Sequence, residues 1–180
     1  MTNIILCGKA TDTAISCALL PALARYGCVQ YYSPERLSHF GEENIQFLVY
    51  DCERLPQMEL KSGIILFKNS FKSQEQIEIP SGFSCILEMK NIHAAEMLNR
   101  TGTAAITCGT NSKDTLSIAG LDETSAALSL QRSVMTVDGS ILEPHDFTVK
   151  LLSKLSPSRI LAVCAVLLIS GINSSNGYDI

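Results

Sequence analysis

Short apolar runs that end at small or polar residues recur along the first part of this chain, and they restrict its fold more than any other feature. Each run has five or six residues and is rich in aliphatic side chains, which is typical of strands buried on both faces of a sheet. Helix-like or loop-like segments separate the runs, and this alternation favours a mostly parallel sheet. The predicted strands cover residues 3–7, 28–32, 45–50, 63–67, 85–89 and 104–108.

The first helix follows the first strand directly. Thr11 or Asp12 supplies an N-cap, and apolar residues at helical spacing extend to about Tyr26. Pro21 lies inside this pattern, so we expect a kink or a split there. Start and stop signals predict further helices over residues 33–39 (from Ser33-Pro34-Glu35), 92–100 and 157–170 (between Ser156-Pro157 and Gly171).

The pattern changes after Gly109. Residues 115–118, 126–131 and 141–151 are β-rich, and Asp138-Gly139 between two of them is a hairpin turn signal. We therefore expect an α/β fold of three layers, with a mostly parallel sheet and an antiparallel β extension near residues 114–151. Residues 1–180 suit one domain, and the polar tail from Asn173 to Ile180 is expected to fray.

Charge and cysteine content exclude several classes of protein. The formal net charge is −4 and no block of Lys and Arg occurs, so we expect no nucleic-acid partner. Seven widely spaced cysteines without a CxxC pair indicate reduced thiols, with neither a disulfide framework nor a zinc site. The start of the chain has no signal-peptide pattern, and the longest apolar run, residues 160–169, is too short for a bilayer core of about 30 Å. These features predict a cytoplasmic protein with no membrane partner; the apolar composition is compatible with a protein partner or self-association.

Gly8-Lys9 lies between the first strand and the first helix, which is the position of a phosphate-binding loop. Helix N-termini attract anions, Lys9 adds a positive charge, and the hydroxyls of Thr11 and Thr13 could approach a magnesium ion. The Walker A pattern is incomplete, because its leading glycine and intervening residues are missing and Ala10 follows Lys9. Two interpretations stay open: an ordinary strand-to-helix turn or a weak anion site.

A polar loop after the strand at 104–108 supplies further candidates. Ligands of open α/β sheets bind beyond the carboxyl ends of the strands, so this loop is expected to share an edge with Gly8-Lys9. We predict no catalytic residue, no metal ligand and no bound cofactor. The candidate ligand-binding residues are Gly8, Lys9, Thr11, Thr13, Asn111, Ser112 and Lys113.

Two other groups of reactive side chains have simpler explanations. Cys108 and His145 would suit a nucleophile and a base, but no neighbour in the sequence indicates the lowered thiol pKa that such a cysteine needs. Glu143, His145 and Asp146 converge poorly on one metal ion, because adjacent side chains on an extended strand point to opposite faces. A structural cysteine and a polar turn are the simpler interpretations.

The order of several segments resembles the central domain of the Mur ligases. The matching stretches are CILEMKN at 85–91, AITCG at 105–109, FTVKL at 147–151 and ILAV at 160–163 running to Gly171. Residues 3–27 resemble the first strand and helix of that family. Mur ligases join amino acids to a carboxylate with ATP and magnesium. The resemblance implies their fold and a bacterial, cytoplasmic protein.

The chain departs from this family at the sites on which catalysis depends. The glycine-rich phosphate loop is absent, the positions near the adenine correspond to Leu155, Ser156 and Arg159, and the magnesium-binding segment and the C-terminal domain have no counterpart. Phosphoryl transfer depends on positioning and charge neutralisation by these parts. The resemblance therefore predicts a non-catalytic relative that acts through protein partners or as a regulator. The alternative is a small-ligand or nucleotide-binding module that uses the Gly8-Lys9 turn.

Overall fold

The computed structural model describes residues 1–42, 44–72 and 78–180. Within these ranges the chain forms an 11-stranded sheet, a separate two-stranded hairpin and three α-helices. The strands are β1 (Thr2–Cys7), β2 (Cys28–Ser33), β3 (Arg36–Phe40), β4 (Ile45–Cys52), β5 (Gly63–Phe67), β6 (Phe83–Glu88), β7 (Ala105–Gly109), β8 (Leu116–Leu121), β9 (Ser125–Leu130), β10 (Val134–Met135), β11 (Ile141–Leu142), β12 (His145–Lys150) and β13 (Tyr178–Asp179). The helices are α1 (Ala14–Ala24), α2 (Ile92–Thr101) and α3 (Pro157–Ile169).

The large sheet has the strand order β13-β12-β9-β8-β7-β6-β5-β1-β4-β2-β3. Neighbouring strands from β8 to β2 are parallel, whereas β8, β9 and β12 pair antiparallel. The predicted α/β class, with a mostly parallel sheet and an antiparallel extension near residues 114–151, is confirmed. The Asp138-Gly139 turn joins β10 to β11 as the sequence predicts.

Helices cover both faces of the sheet and give three layers. On one face, α1 and α3 pack over an aliphatic core, and α3 contacts α1 and strands β5 to β8. Residues 160–169 of α3 are all buried, because a helix that is apolar on every side needs cover all round. On the other face, α2 packs through Ala94, Met97 and Leu98. In the part of the chain that the structure describes, no helix is long and apolar enough to span a membrane.

Helix α1 continues through Pro21, so of the two alternatives expected there, a kink or a split, the split does not occur. Pro21 has no N–H for the carbonyl of Cys17 one turn earlier, a loss of about 3 kcal/mol in a helix interior. Both residues lie on the exposed side of α1, where water can reach this carbonyl, while Leu20 and Leu23 are buried on the opposite side. Packing of the buried side of α1 therefore maintains the helix across the proline.

The helix predicted from Ser33-Pro34-Glu35 toward His39 is wrong. Arg36–Phe40 is strand β3, which pairs antiparallel with β2 through a two-residue turn at Pro34 and Glu35. Proline suits the first position of a helix and the second position of a β-turn equally well. Pairing with β2 and packing of Phe40 against the core favour the strand, and the local sequence alone does not contain these contacts.

The tail predicted to fray is ordered, so that prediction is also wrong. Strand β13 pairs parallel with β12, with Tyr178 opposite Val149, and Tyr178 and Ile180 are buried. The Tyr178 hydroxyl donates to the Ile172 carbonyl at 2.7 Å. Tyr178 and Ile180 are buried because their segment pairs with β12. The polar composition of the segment does not indicate this long-range pairing.

Candidate functional site

The carboxyl ends of four neighbouring strands, β6, β5, β1 and β4, meet at one edge of the sheet and form the candidate site. The β1–α1 junction (residues 8–13) leaves the sheet there, Asp51 lies near the end of β4, Lys68 follows β5, and Glu88 ends β6. Ligands of open α/β sheets bind at such edges. The predicted phosphate-loop position therefore lies at the expected edge of the sheet.

Backbone N–H groups of the β1–α1 junction donate to other parts of the protein. The donors and acceptors are Gly8 N to Cys52 O at 2.9 Å, Lys9 N to Ser70 Oγ at 3.1 Å and Ala10 N to Glu53 Oε1 at 3.0 Å. Phosphate loops use such N–H groups to bind an anion. Here the anion bound to Ala10 is a carboxylate of the protein itself.

The side chain of Lys68 fills the space beneath the junction. It is fully buried, and its Nζ donates to Asp51 Oδ1 at 2.6 Å, to the Asp12 carbonyl at 2.8 Å and to the Lys9 carbonyl at 3.4 Å. The Tyr31 hydroxyl donates to the other carboxylate oxygen of Asp51 at 3.3 Å. Burial raises the pKa of Asp51, and the bonds from Lys68 and Tyr31 oppose that rise. Because carbonyl groups of the junction bind an ammonium group, its interior has the polarity of a cation site.

Close packing around Gly8 fixes this arrangement. A Cβ atom at Gly8 would lie 2.7 Å from Lys68 Cβ and 2.8 Å from Ser70 Oγ. Ser70 Oγ in turn donates to Asp12 Oδ2 at 2.6 Å. The close approach of residues 68–70 accounts for a glycine at position 8 without any phosphate.

A small, mostly apolar crevice of about 20 Å³ lies beside Lys68, between the N-terminal parts of α1 and α3. Glu88 forms its charged wall: Oε2 accepts from Asn69 Nδ2 at 2.6 Å and from the Ser158 hydroxyl, and Oε1 accepts from Lys90 Nζ at 3.1 Å. Burial would raise the pKa of Glu88, but these three donors together lower it. A space of this volume holds about one water molecule, so the crevice has no room for a nucleotide.

Four of the predicted ligand-binding residues lie together in the β1–α1 junction. Gly8 is buried, whereas Lys9, Thr11 and Thr13 are exposed. Thr13 is the N-cap residue of α1, but its hydroxyl makes no capping hydrogen bond. Three exposed polar side chains therefore surround a junction whose interior holds Lys68.

The other three predicted residues, Asn111, Ser112 and Lys113, lie on the exposed loop after β7. Strand β7 is three positions from β1 in the sheet, which is about 14 Å at the usual strand spacing. The loop folds around the buried Asp114, whose carboxylate accepts from the Asn111 N–H at 3.1 Å. The two groups of predicted residues share an edge of the sheet, and two strands separate them.

Cys108 and His145 do not form a nucleophile and base. Cys108 is buried, and burial together with the carboxylates of Asp114 and Glu88 raises the pKa of its thiol. His145 lies on β12, three strand positions from β7; its Nδ1 donates to the Glu143 carbonyl at 2.7 Å, and its Nε2 is 2.7 Å from Ser174 Oγ. Across residues 1–42, 44–72 and 78–180, no group of three metal-ligating side chains occurs. Glu143 and Pro144 form a bend, whereas His145 and Asp146 are the first residues of β12.

Cys17 on α1 is exposed, whereas the other six cysteines are buried. Because a thiol reagent needs access and a thiolate, we expect one of the seven thiols to react rapidly with an aromatic disulfide reagent in the folded protein. Cys17→Ser should abolish the fast phase, and unfolding should release the remaining thiols. A fast phase that survives Cys17→Ser and disappears in Cys108→Ser would contradict this prediction and favour a reactive Cys108.

Reasoning from the sequence missed the charged residues that define the site, Asp51, Glu53 and Lys68. A usable signal was present, because Asp51 and Lys68 each follow a buried apolar run. Its meaning depends on the strand order, which places β4 and β5 on either side of β1. Without the strand order, nothing in the sequence indicates that Asp51 and Lys68 lie next to each other.

Together the sheet and the helical layers define a three-layer α/β fold, and the protein's own side chains fill its first strand-to-helix junction. No protein-family model and no curated protein matches the sequence. Solved structures of similar fold include two ligases.

The first is a UDP-N-acetylmuramoyl-L-alanyl-D-glutamate–2,6-diaminopimelate ligase, with a TM-score of 0.57 and 10% identity over 96% of this chain and 44% of that chain. The second is a murein peptide ligase from Psychrobacter arcticus, with a TM-score of 0.50 and 11% identity over 97% of this chain and 45% of that chain. The chain thus has a Mur-ligase-like fold and spans less than half the length of these two ligases. At such low identity the likeness shows the fold alone.

Proposed function

We propose that this chain is a non-catalytic relative of the Mur ligase central domain, one domain over residues 1–180, which acts through protein contacts rather than by nucleotide turnover. The observation that carries the proposal is the occupation of the β1–α1 junction by the protein itself. The ammonium of Lys68 fills its interior, and the carboxylate of Glu53 accepts from Ala10 N–H. A regulator or a structural partner needs the fold but not an open junction.

Charge balance at the junction supports the proposal. A triphosphate needs several N–H donors and a free cation, but three N–H groups of the junction already have acceptors. Lys68 is paired with the buried Asp51. Moving Lys68 to a phosphate would leave a buried carboxylate unpaired, which costs about 3–5 kcal/mol, and the Glu53 carboxylate would repel the incoming charge.

The proposal is tested by nucleotide binding. We expect no rise in melting temperature with millimolar ATP–magnesium, GDP or UDP-linked sugars, because the occupied junction should bind them too weakly. A ligand stabilises a protein appreciably when its concentration is well above its dissociation constant. We also expect no release of phosphate from ATP. Micromolar ATP–magnesium affinity, or hydrolysis by the pure protein that Lys9→Ala abolishes, would overturn the proposal.

A second candidate function is binding of a small ligand next to the Gly8-Lys9 turn. The observation in its favour is a cleft of about 500 Å³ between α1 and the β2–β3 hairpin, with Thr13, Ser16, Tyr31 and Arg36 in its walls. This volume lies within the usual range of small-molecule sites, and the Thr13 hydroxyl caps no helix N–H. A compound whose thermal stabilisation is lost in Thr13→Val but kept in Lys113→Ala would favour this function over the first.

A further inference from the structure

Strand β3 is an open edge of the large sheet. It pairs with β2 on one side, and no described strand lies on its other side. Edge strands expose unpaired N–H and C=O groups, and proteins commonly protect them with Lys, Pro or a bulge. Residues 36–40 contain no Lys or Pro, their one formally charged side chain is Arg36 at the first position, and their pairing with β2 has no register shift. The backbone of β3 is therefore available to another strand.

The sheet face beside this edge carries an uncovered apolar strip. Tyr32 lies opposite Leu37 in the β2–β3 register and stacks on Tyr50, with ring centroids 5.4 Å apart. Tyr50 touches the core beneath α2, whereas Tyr32 is 45% and Leu37 69% exposed. The apolar strip formed by Tyr50, Tyr32 and Leu37 therefore runs from the covered part of this face to the open edge. Exposed apolar surface that is continuous with a free edge is typical of an interface.

The hairpin geometry identifies the backbone groups that face outward. The two-residue turn makes Ser33 and Arg36 the innermost pair, and in such a hairpin this pair is hydrogen-bonded. Because hydrogen-bonded and non-hydrogen-bonded pairs alternate in an antiparallel ladder, Arg36, Ser38 and Phe40 bond to β2. Leu37 and His39 then direct their N–H and C=O groups toward the open edge.

We propose that the partner on this surface is a second copy of the chain, with the two β3 strands paired antiparallel about a two-fold axis at Ser38. The proposal rests on the proposed function and names its partner. In this register Leu37 meets His39 of the second copy, and each of them both donates and accepts a backbone hydrogen bond. Arg36 lies across from Phe40 of the second copy, which permits a cation–π contact.

Charge and symmetry favour a second copy as the occupant. Arg36 is the one Lys, Arg, Asp or Glu residue in β3, and pairing about Ser38 keeps the two Arg36 side chains about 14 Å apart. A two-fold interface needs one self-complementary surface. Strand β3 meets that requirement, because Leu37 and His39 each pair with the other residue in the second copy. No two side chains of like charge lie opposite each other.

The oligomeric state tests the proposal first. We expect sedimentation of the wild-type protein to show a monomer–dimer equilibrium in the micromolar range. Leu37→Lys should raise the dimer dissociation constant at least about 100-fold, because each dimer loses two apolar contacts, each worth about tenfold. Ile141→Lys is the matched control, because Ile141 is 67% exposed on the separate β10–β11 hairpin. This substitution should leave the dimer dissociation constant unchanged. A wild-type monomer at high concentration, or equal effects of both variants, would overturn the proposal.

Cross-linking then tests the register. In a Cys17→Ser background, Ser38→Cys places two thiols opposite each other at a non-hydrogen-bonded pair, about 4.5 Å between Cα atoms, which is compatible with a disulfide. With oxidised glutathione as the oxidant, we expect a disulfide-linked dimer from Ser38→Cys and none from Arg36→Cys. Equal cross-linking of both variants would contradict the axis at Ser38. A monomeric wild-type protein would contradict the dimer but would not change the expected results of the nucleotide-binding experiments. The two proposals can therefore be tested independently.

Discussion

Lys68→Met should lower the free energy of unfolding by about 3–5 kcal/mol, because it leaves the buried Asp51 carboxylate without its cation. Lys68 Nζ also donates to the carbonyls of Asp12 and Lys9, and these acceptors lose a donor in the same variant. We expect a fall in melting temperature of about 10 °C for a domain of this size. Urea denaturation of both proteins at neutral pH measures the difference.

Two control variants show whether the effect comes from the buried charge. Lys90→Met removes the lysine whose Nζ lies 3.1 Å from Glu88 and whose side chain is 84% exposed, and it should change stability by less than about 1 kcal/mol. Lys68→Met combined with Asp51→Asn removes both charges and should recover a large part of the loss. A Lys68→Met variant as stable as wild type would contradict the closed junction.

Tyr178→Ala should lower the free energy of unfolding by about 3–5 kcal/mol, the usual loss for a buried aromatic residue. The ring lies 6.1 Å from that of Tyr26, in the turn after α1, and 5.4 Å from that of Phe147 on β12, so Tyr178 contacts both of these segments. If residues 173–180 were frayed, the same substitution would cause no loss at all. Thermal or urea unfolding therefore separates an ordered tail from a frayed one.

Two variants divide the contribution of Tyr178 into its parts. Tyr178→Phe keeps the ring and removes the bond to the Ile172 carbonyl, so the loss should be about 1 kcal/mol. Ser175→Ala changes an exposed residue of the same segment and should stay within about 0.5 kcal/mol of wild type. If Tyr178→Ala matches Ser175→Ala, β13 does not contribute to stability.

The sequence predicted the central elements well because each has a strong local signal. Strand β5 coincides with the apolar run from Gly63 to Phe67, and α3 begins at Pro157 as its capping pattern indicates. The wrong predictions of a helix toward His39 and of a frayed tail both rest on weak local signals. Proline at position 34 suited a turn as well as a helix, and two apolar residues in a polar tail gave no periodicity.

The candidate site was predictable in position but not in its interior. Gly8-Lys9 lies at the strand-to-helix junction that the alternation of the first elements predicts. The identity of the groups that fill the junction depends on residues distant in the chain. Lys9 and Ser70 are 61 positions apart, Ala10 and Glu53 are 43 apart, and Lys68 and Asp51 are 17 apart.

By itself, the sequence determined the α/β class, the antiparallel extension and the buried last helix, because each follows from periodicity or spacing within a few residues. The tertiary structure decided that the junction is filled by Lys68 and Glu53, that β3 is an open edge and that Tyr178 is buried. The physical reason is that strand order determines which ends of strands become neighbours. Hydrogen bonds and ion pairs between those ends depend on distances in space that no local pattern encodes.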